Sequence, residues 1–249
     1  MIEAPGLDHK EAVVEHLKEF EAVVRARRSI RKFKSESVPD EVVNKALDLA
    51  LVAPNSSNLQ QWEYYWVKSP ELRKELDIAF LSQPAVKTAP TLIVAVARTK
   101  TWRRSQKLMI EILEQNPKTP SGAMDYYKKL VPMVYNQGFF GVFGLLKRVA
   151  VAIVGVVKPV PREPVCESDM RAWAIKSTAL GCENLMLAFS AQGYDTCPME
   201  GMDSKRVARA LGLARDAIVV MGIAAGKRDD GGLYGPQIRF DRNLFVKEV

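Results

Sequence analysis

An α+β fold is what the hydrophobic patterning of this chain predicts, on three observations. Segments of helical period and apolar runs of strand length are mixed, without the strict strand–helix alternation of a doubly wound sheet. One long stretch, about Ser168 to Gln192, is apolar on most sides through Trp173, Ile175, Leu180, Leu185, Leu187 and Phe189, which marks a helix at the centre of the fold. No internal repeat is present, and 47% hydrophobic with 26% charged residues over 249 positions is ordinary globular composition, sufficient for one sizeable core.

Taken in order, residues 9 to 26 read as an amphipathic helix with Val13, Leu17, Phe20 and Val24 on one face. Pro39, Asp40 and Glu41 open a second helix, continued by Val42, Ala46, Leu49 and Ala53 and ended by Pro54. The polar stretch Asn55 to Gln61 is a loop, and Trp62 to Val67 a strand. A helix from Pro70 to about Phe80 precedes a strand, Thr91 to Ala97, whose unbroken apolar run predicts burial on both faces. Residues 98 to 165 are basic, proline-broken and weakly periodic. Beyond the long helix come a turn at Gly193, a loop Cys197–Gly201, a helix opened by Asp203 and closed near Gly212, a strand Ala217 to Ala225, and an extended tail.

Charge and histidine narrow the chemistry. Of a net charge of +7, a surplus of +9 sits in residues 98 to 162, which hold 12 basic and 3 acidic groups; the flanks are each close to neutral. Three cysteines, with no CxxC, make no disulfide framework, and with no apolar leader at the N-terminus a reducing cytoplasm is the expected setting. The only histidines, His9 and His16, lie together on the first helix, which excludes Ser/His/Asp and Cys/His triads and histidine-rich metal centres. Chemistry must then come from carboxylates, lysines or a borrowed cofactor. The Gly222–Gly226–Lys227 run is one residue short of a P-loop and opens no helix, and no GxGxxG occurs. No basic helix with interleaved stacking residues suggests nucleic acid.

Arg27-Arg28-Ser29-Ile30-Arg31 places three guanidinium forks and a hydroxyl within five residues, a donor set that matches phosphate. Two other segments carry compatible donors, Asn55 to Gln60 and Pro236-Gln237-Ile238-Arg239. With Ala53-Pro54 before the first of these, Gln60-Gln61-Trp62 at its end, Ala89-Pro90 ahead of a strand, and Pro198-Met199-Glu200-Gly201-Met202-Asp203, these pieces resemble in order and spacing the nitroreductase family of FMN-dependent oxidoreductases. The resemblance covers about residues 20 to 97 and 166 to 245.

The resemblance implies a nitroreductase-like α+β fold, with a mixed, mainly antiparallel sheet flanked by helices, in an intertwined homodimer with flavin at the interface. It implies that Arg27, Ser29 and Arg239 hold the FMN phosphate with Arg28 and Arg31 beside them. Asn55, Ser56, Asn58 and Gln60 would reach a flavin held mainly by the other subunit. Gln83 would meet the pyrimidine edge of the ring, and the Pro198–Gly201 loop would place the backbone of Glu200 and Gly201 at flavin N5 and O4, with free N–H groups at the Asp203 helix start steadying developing negative charge. Glu200 would act through its backbone rather than as a proton source. Two positions depart from the family: Gln61 stands where proline is common, and Gln237 where a lysine is frequent, one cation fewer near the phosphate.

Flavin chemistry needs no histidine, so the histidine poverty agrees with this reading. The implied activity is ping-pong hydride transfer from NADH or NADPH through FMN to a nitroaromatic, quinone or similar planar acceptor, with no metal. Alternatives are a flavin dehalogenase on the same fold, and a membrane-surface or regulatory flavin binder without turnover. The chain is expected to form a single domain, 1–249, with 98–165 as a variable lid. Within that segment Gly138 to Val157 holds 14 apolar residues and four glycines, interrupted by Lys147-Arg148. Two central charges argue against a membrane span. A lid over the flavin is favoured over an element lying on an anionic membrane surface; Trp102, Tyr126, Tyr127, Tyr135, Phe139, Phe140 and Phe143 either stack on a flat acceptor or are simply core.

Overall fold

The computed structural model describes residues 16–138 and 141–249; His9, Val13, Phe139 and Phe140 lie outside them. A four-stranded sheet of order β1-β2-β4-β3 is antiparallel in every pair: β1 Trp62–Trp66, β2 Thr91–Arg98, β3 Asp195–Met199 and β4 Ala217–Gly226. The described helices are α1 Leu17–Ala26, α2 Asp40–Leu51, α3 Pro70–Ala79, α4 Pro84–Thr88, α5 Trp102–Glu114, α6 Ser121–Asp125, α7 Val131–Tyr135, α8 Val142–Val157, α9 Glu167–Ala191 and α10 Ser204–Ala210.

The continuous apolar run of β2 is explained by its two faces. Leu92, Val94 and Val96 pack with Leu76, Phe80 and Val86 from α3 and α4, while Ile93 and Ala95 pack with Leu185 and Phe189 of α9 and Val43, Ala46 and Ala50 of α2. Helix α9 runs about 37 Å through the molecule, and its first turn is set by Asp169, which accepts from the Val165 and Cys166 amides at 2.8 and 3.2 Å. Those bonds, the Val165 one foremost, hold the Asp169 carboxyl below its usual range against some desolvation. Gly181 lets α9 come against the Tyr64 hydroxyl and the Ala50 carbonyl, a position a Cβ would fill.

Three expectations are corrected. Cys197, Pro198 and Met199 are not loop but strand: β3 lies at the sheet edge, where a proline without an N–H is tolerated. The weakly periodic segment after residue 98 is largely helical: Pro120 stands before α6 and Pro132 in the first turn of α7, while Pro117, Pro159, Pro161 and Pro164 fall between helices. Trp102, Tyr127 and Tyr135 are not lid aromatics but a third buried cluster with Trp173, Met170 and Leu59. Helix α1 departs differently. Its apolar face, Leu17, Phe20 and Val24, is turned to solvent within the single chain.

Candidate functional site

The RRSIRKF segment is aimed by its two apolar residues. Ile30 and Phe33 are buried in the first core cluster, and the Ile30 amide donates to the Thr196 carbonyl at 3.0 Å, so the segment runs along β3 with Ser29 bridged to Thr196. That leaves Arg27, Arg28, Ser29 and Arg31 half-buried, around a cavity of about 400 Å³ closed by Gly235, Pro236, Gln237 and Arg239 of the tail. Arg28 Nη2 donates to the Gly235 carbonyl at 2.7 Å and ties the tail down. Arg31 Nη1 lies 3.3 Å from Cys197 Sγ, and burial raises that thiol's pKa against the lowering pull of the guanidinium. No carboxylate lines this cavity, and none of the four arginines has an acidic partner among the described residues. Four guanidinium groups and a hydroxyl gathered without counter-charge suit a phosphate ester.

At the other end of β3, Gln83 is the N-cap of α4, reached through Leu81 and Ser82, both in the left-handed backbone region with φ of 59° and 51°. Its Nε2 donates to the Gly201 carbonyl at 2.7 Å and the Phe80 carbonyl at 3.0 Å. Gln83 and the Glu200–Gly201 peptide are therefore brought together, about 13 Å along the strand from Thr196 and the arginine cradle. The expected free N–H groups at the next helix start are not free. Asp203 caps α10 through its own carboxylate, accepting from the Lys205 and Arg206 amides at 3.1 Å each.

The amide-rich loop is held from beneath. Ser57, Asn58 and Gln60 all have positive φ, 57°, 48° and 45°. Asn55 Oδ1 accepts from the Gln60 amide at 2.8 Å, and Asn58 Oδ1 lies 3.3 Å from Gln60 Nε2. Tyr135 OH lies 2.9 Å from both Ser56 Oγ and Ser57 Oγ, Tyr126 OH meets Ser57 Oγ at 2.5 Å, and Tyr127 OH donates to the Ser57 carbonyl at 3.0 Å. These three tyrosines, from the segment read as a lid, form the loop's support. Nothing in the sequence of 98–165 pointed to this, because the pairing spans about seventy positions. Gln61, noted in the sequence only as standing where proline is common, is fully buried with Nε2 2.6 Å from Ser177 Oγ, so it anchors the loop.

Register shows which parts meet within one chain. Thr196 pairs with Ala225, which pairs with Thr91, so the cradle stands at the Thr91 end of the sheet on the β3 edge. The Asn55–Gln60 loop leads into Trp62, which pairs with Ala97, at the other end and on the β1 edge. Six residues of β2 alone separate those ends by about 20 Å. The cradle and the loop thus stand at opposite ends and opposite edges of the sheet, while Gln83 and Gly201 lie on the β3 edge further along from the cradle, toward the loop's end.

Such a layout defines an α+β protein with an arginine cradle on one edge of its sheet and a hydrogen-bonded amide loop on the other. The family model of the nitroreductase family matches residues 24–227, and the chain belongs to that family. It is 27% identical to protein DrgA of a Synechocystis species over 85% of this chain and 84% of that protein. To a protein of Thermus thermophilus named NADH dehydrogenase it is 25% identical, over 87% and 90%. Among solved structures it is similar to a nitroreductase-type protein of Exiguobacterium sibiricum in complex with FMN, at 25% identity and a TM-score of 0.66, covering 92% of this chain and 97% of that one.

Proposed function

We propose that this protein is an FMN-dependent oxidoreductase that takes reducing equivalents from NADH or NADPH and delivers them to a planar acceptor such as a nitroaromatic or quinone, in two half-reactions. The observation that carries the reading is the cradle of Arg27, Arg28, Ser29, Arg31 and Arg239 without a carboxylate. It fits the phosphate of FMN by donor chemistry and charge. The FMN-bound relative and relatives named for NAD(P)H activity support it.

Bound FMN would supply two-electron hydride chemistry. The residues of the chain hold and orient it. Arg27, Arg239 and Ser29 bind phosphate, with Arg28 fixing the tail that carries Arg239. Gln83, held to the Gly201 carbonyl, would offer a polar group to the flavin ring together with the Glu200–Gly201 backbone; Pro198 and Met199 fix that peptide by their place in β3. Asn55, Ser56, Asn58 and Gln60 serve the cradle of a second copy, since one chain keeps them at opposite ends of its sheet. A homodimer would also cover Leu17, Phe20 and Val24 of α1 and the exposed tail residues Ile238 and Phe240. The chain is read as one domain, 1–249, with 98–165 as its variable segment.

The test is the colour and cofactor content of purified protein. Wild type retains or takes up FMN, and NADH or NADPH bleaches it without oxygen. Arg27→Ala with Arg239→Ala removes two charge-assisted contacts of about 1.5–3 kcal/mol each, weakening FMN binding by at least about a hundredfold with the circular dichroism unchanged. Flavin held at wild-type affinity by this variant refutes the cradle, and protein that takes up no FMN refutes the function.

A further inference from the structure

Helix α8 is built inside out. At about 100° per residue, Val142, Leu145, Leu146, Val149, Ile153, Val156 and Val157 fall within about 60° of one line, a single aliphatic stripe. A surface helix ordinarily buries such a stripe. Here every one of those residues is exposed, Leu145 at 63%, Ile153 at 66% and Val156 at 86%. The side turned to the protein instead carries Gly144, the one buried residue of the helix, with Lys147, Val151 and Gly155. A Cβ on Gly144 would run into Gln137 and the Val165 carbonyl, and Gly155 is covered by the Arg162 guanidinium. Lys147, one of the two charges that interrupt the apolar run, is drawn inward and donates to the Val134 carbonyl at 2.6 Å. The outward stripe is left without a charge.

The segment that carries the helix, bounded by Asp125 and Glu163, is itself charged with one sign. From Tyr126 to Arg162 there are six lysines and arginines and no aspartate or glutamate. Lys128 and Lys129 are paired to Glu114 and Asp125, but Arg148, Lys158 and Arg162 are exposed and have no acidic partner among the described residues. An aliphatic stripe with cations at its flank and C-terminal end complements an anionic lipid surface, which accepts the aliphatic side chains below the headgroups and the cations among them. A second copy of the same face is a poor occupant, because that face offers no acidic group to pair with Arg148, Lys158 and Arg162. At 16 residues, about 24 Å long, the helix is too short to cross a bilayer core of about 30 Å, and among the described residues no helix is long and apolar enough to do so.

We propose that α8 docks the protein on an anionic membrane surface, lying in the interface plane with its Leu145–Ile153–Val156 face down. The inference is independent of the flavin reading, since neither the stripe nor its flanking cations touch the cradle.

Flotation of the full chain with phosphatidylcholine vesicles, with and without phosphatidylglycerol, tests it, beside sedimentation without lipid. Wild type is expected to float with the phosphatidylglycerol vesicles, to stay behind with phosphatidylcholine alone, and to be released as salt rises. Leu145→Asp with Ile153→Asp, both on exposed positions, abolishes flotation. Arg148→Glu with Lys158→Glu weakens it at least about twentyfold, each cation near such a surface contributing about fivefold. Circular dichroism confirms that the variants fold, and if the aspartate pair does not, the charge reversal decides. Wild type that ignores anionic vesicles at low salt overturns the proposal, as does flotation unchanged in both variants. A stripe variant that dissociates an oligomer while wild type never floats overturns it in favour of a second copy.

Discussion

Tyr135→Phe removes one oxygen and separates the support of the amide loop from its packing. The Tyr135 ring is buried, 4.5 Å from Trp173 and 6.4 Å from Trp102 between centroids, and phenylalanine keeps those contacts. What is lost are the bonds at 2.9 Å to Ser56 and Ser57. Each neutral hydrogen bond contributes about 0.5–1.5 kcal/mol net, and the two serine hydroxyls can turn to water, so a loss of about 1–2 kcal/mol is expected. The loop needs that support, because non-glycine residues at positive φ cost about 1–3 kcal/mol each and Ser57, Asn58 and Gln60 all carry one. For a chain of this length the melting temperature should fall by about 2–8 °C. Amide exchange over residues 56–60 should accelerate, and FMN affinity should drop by up to about thirtyfold if an ordered loop is required for binding. Urea unfolding, hydrogen exchange and flavin fluorescence measure the three. Wild-type exchange in the loop together with wild-type stability would show that the tyrosine hydroxyl supports nothing.

Other perturbations reach different parts of the molecule. Gly222→Ala puts a Cβ 2.5 Å from the Phe80 ring across the face of β4, and overpacking of this kind costs about 1–3 kcal/mol; an unshifted urea midpoint would mean that the ring yields freely. Arg98 holds Asp216 by two bonds, Nε to Oδ2 at 3.1 Å and Nη2 to Oδ1 at 3.0 Å, and Glu63 by a third. Burial pushes the Asp216 carboxyl up, but Arg98 and the Lys100 amide outweigh it and hold it below the usual range. A depressed carboxyl contributes stability that is present above its unfolded pKa of about 3.9 and lost as pH falls through the folded value. The stability gap between wild type and Arg98→Met should therefore be widest near neutrality and shrink below about pH 4, and a gap constant down to pH 3 in urea titrations at each pH would exclude the ion pair as its source.

Local chemistry explains which elements were legible. The helix expected from Pro70 to about Phe80 runs Pro70–Ala79, because Ser69 accepts from the Leu72 amide and proline occupies the first turn. The strand at Thr91 follows from its short unbroken apolar run, and the long helix before Gln192 from a stretch too long for a strand and apolar on most sides. Pro198 hid β3, since only the neighbour on one side reveals that its missing N–H falls on a free edge. The site divided in the same way. Arg27 to Arg31 was visible as a donor set, whereas the partnership of Gln83 with Gly201 joins residues 118 apart and leaves no local trace.

The sequence by itself determined the class of fold, the absence of imidazole chemistry, the arginine-rich segment and the family resemblance, because these depend on residue type, period and order along the chain. Only the tertiary structure decided that the tyrosines of the middle segment underpin the amide loop, that the loop and the cradle stand at opposite ends of the sheet, and that α8 turns its aliphatic face outward. Periodicity establishes that a helix has an apolar side; the packing of Gly144, Lys147 and Gly155 against the rest of the chain determines where that side points.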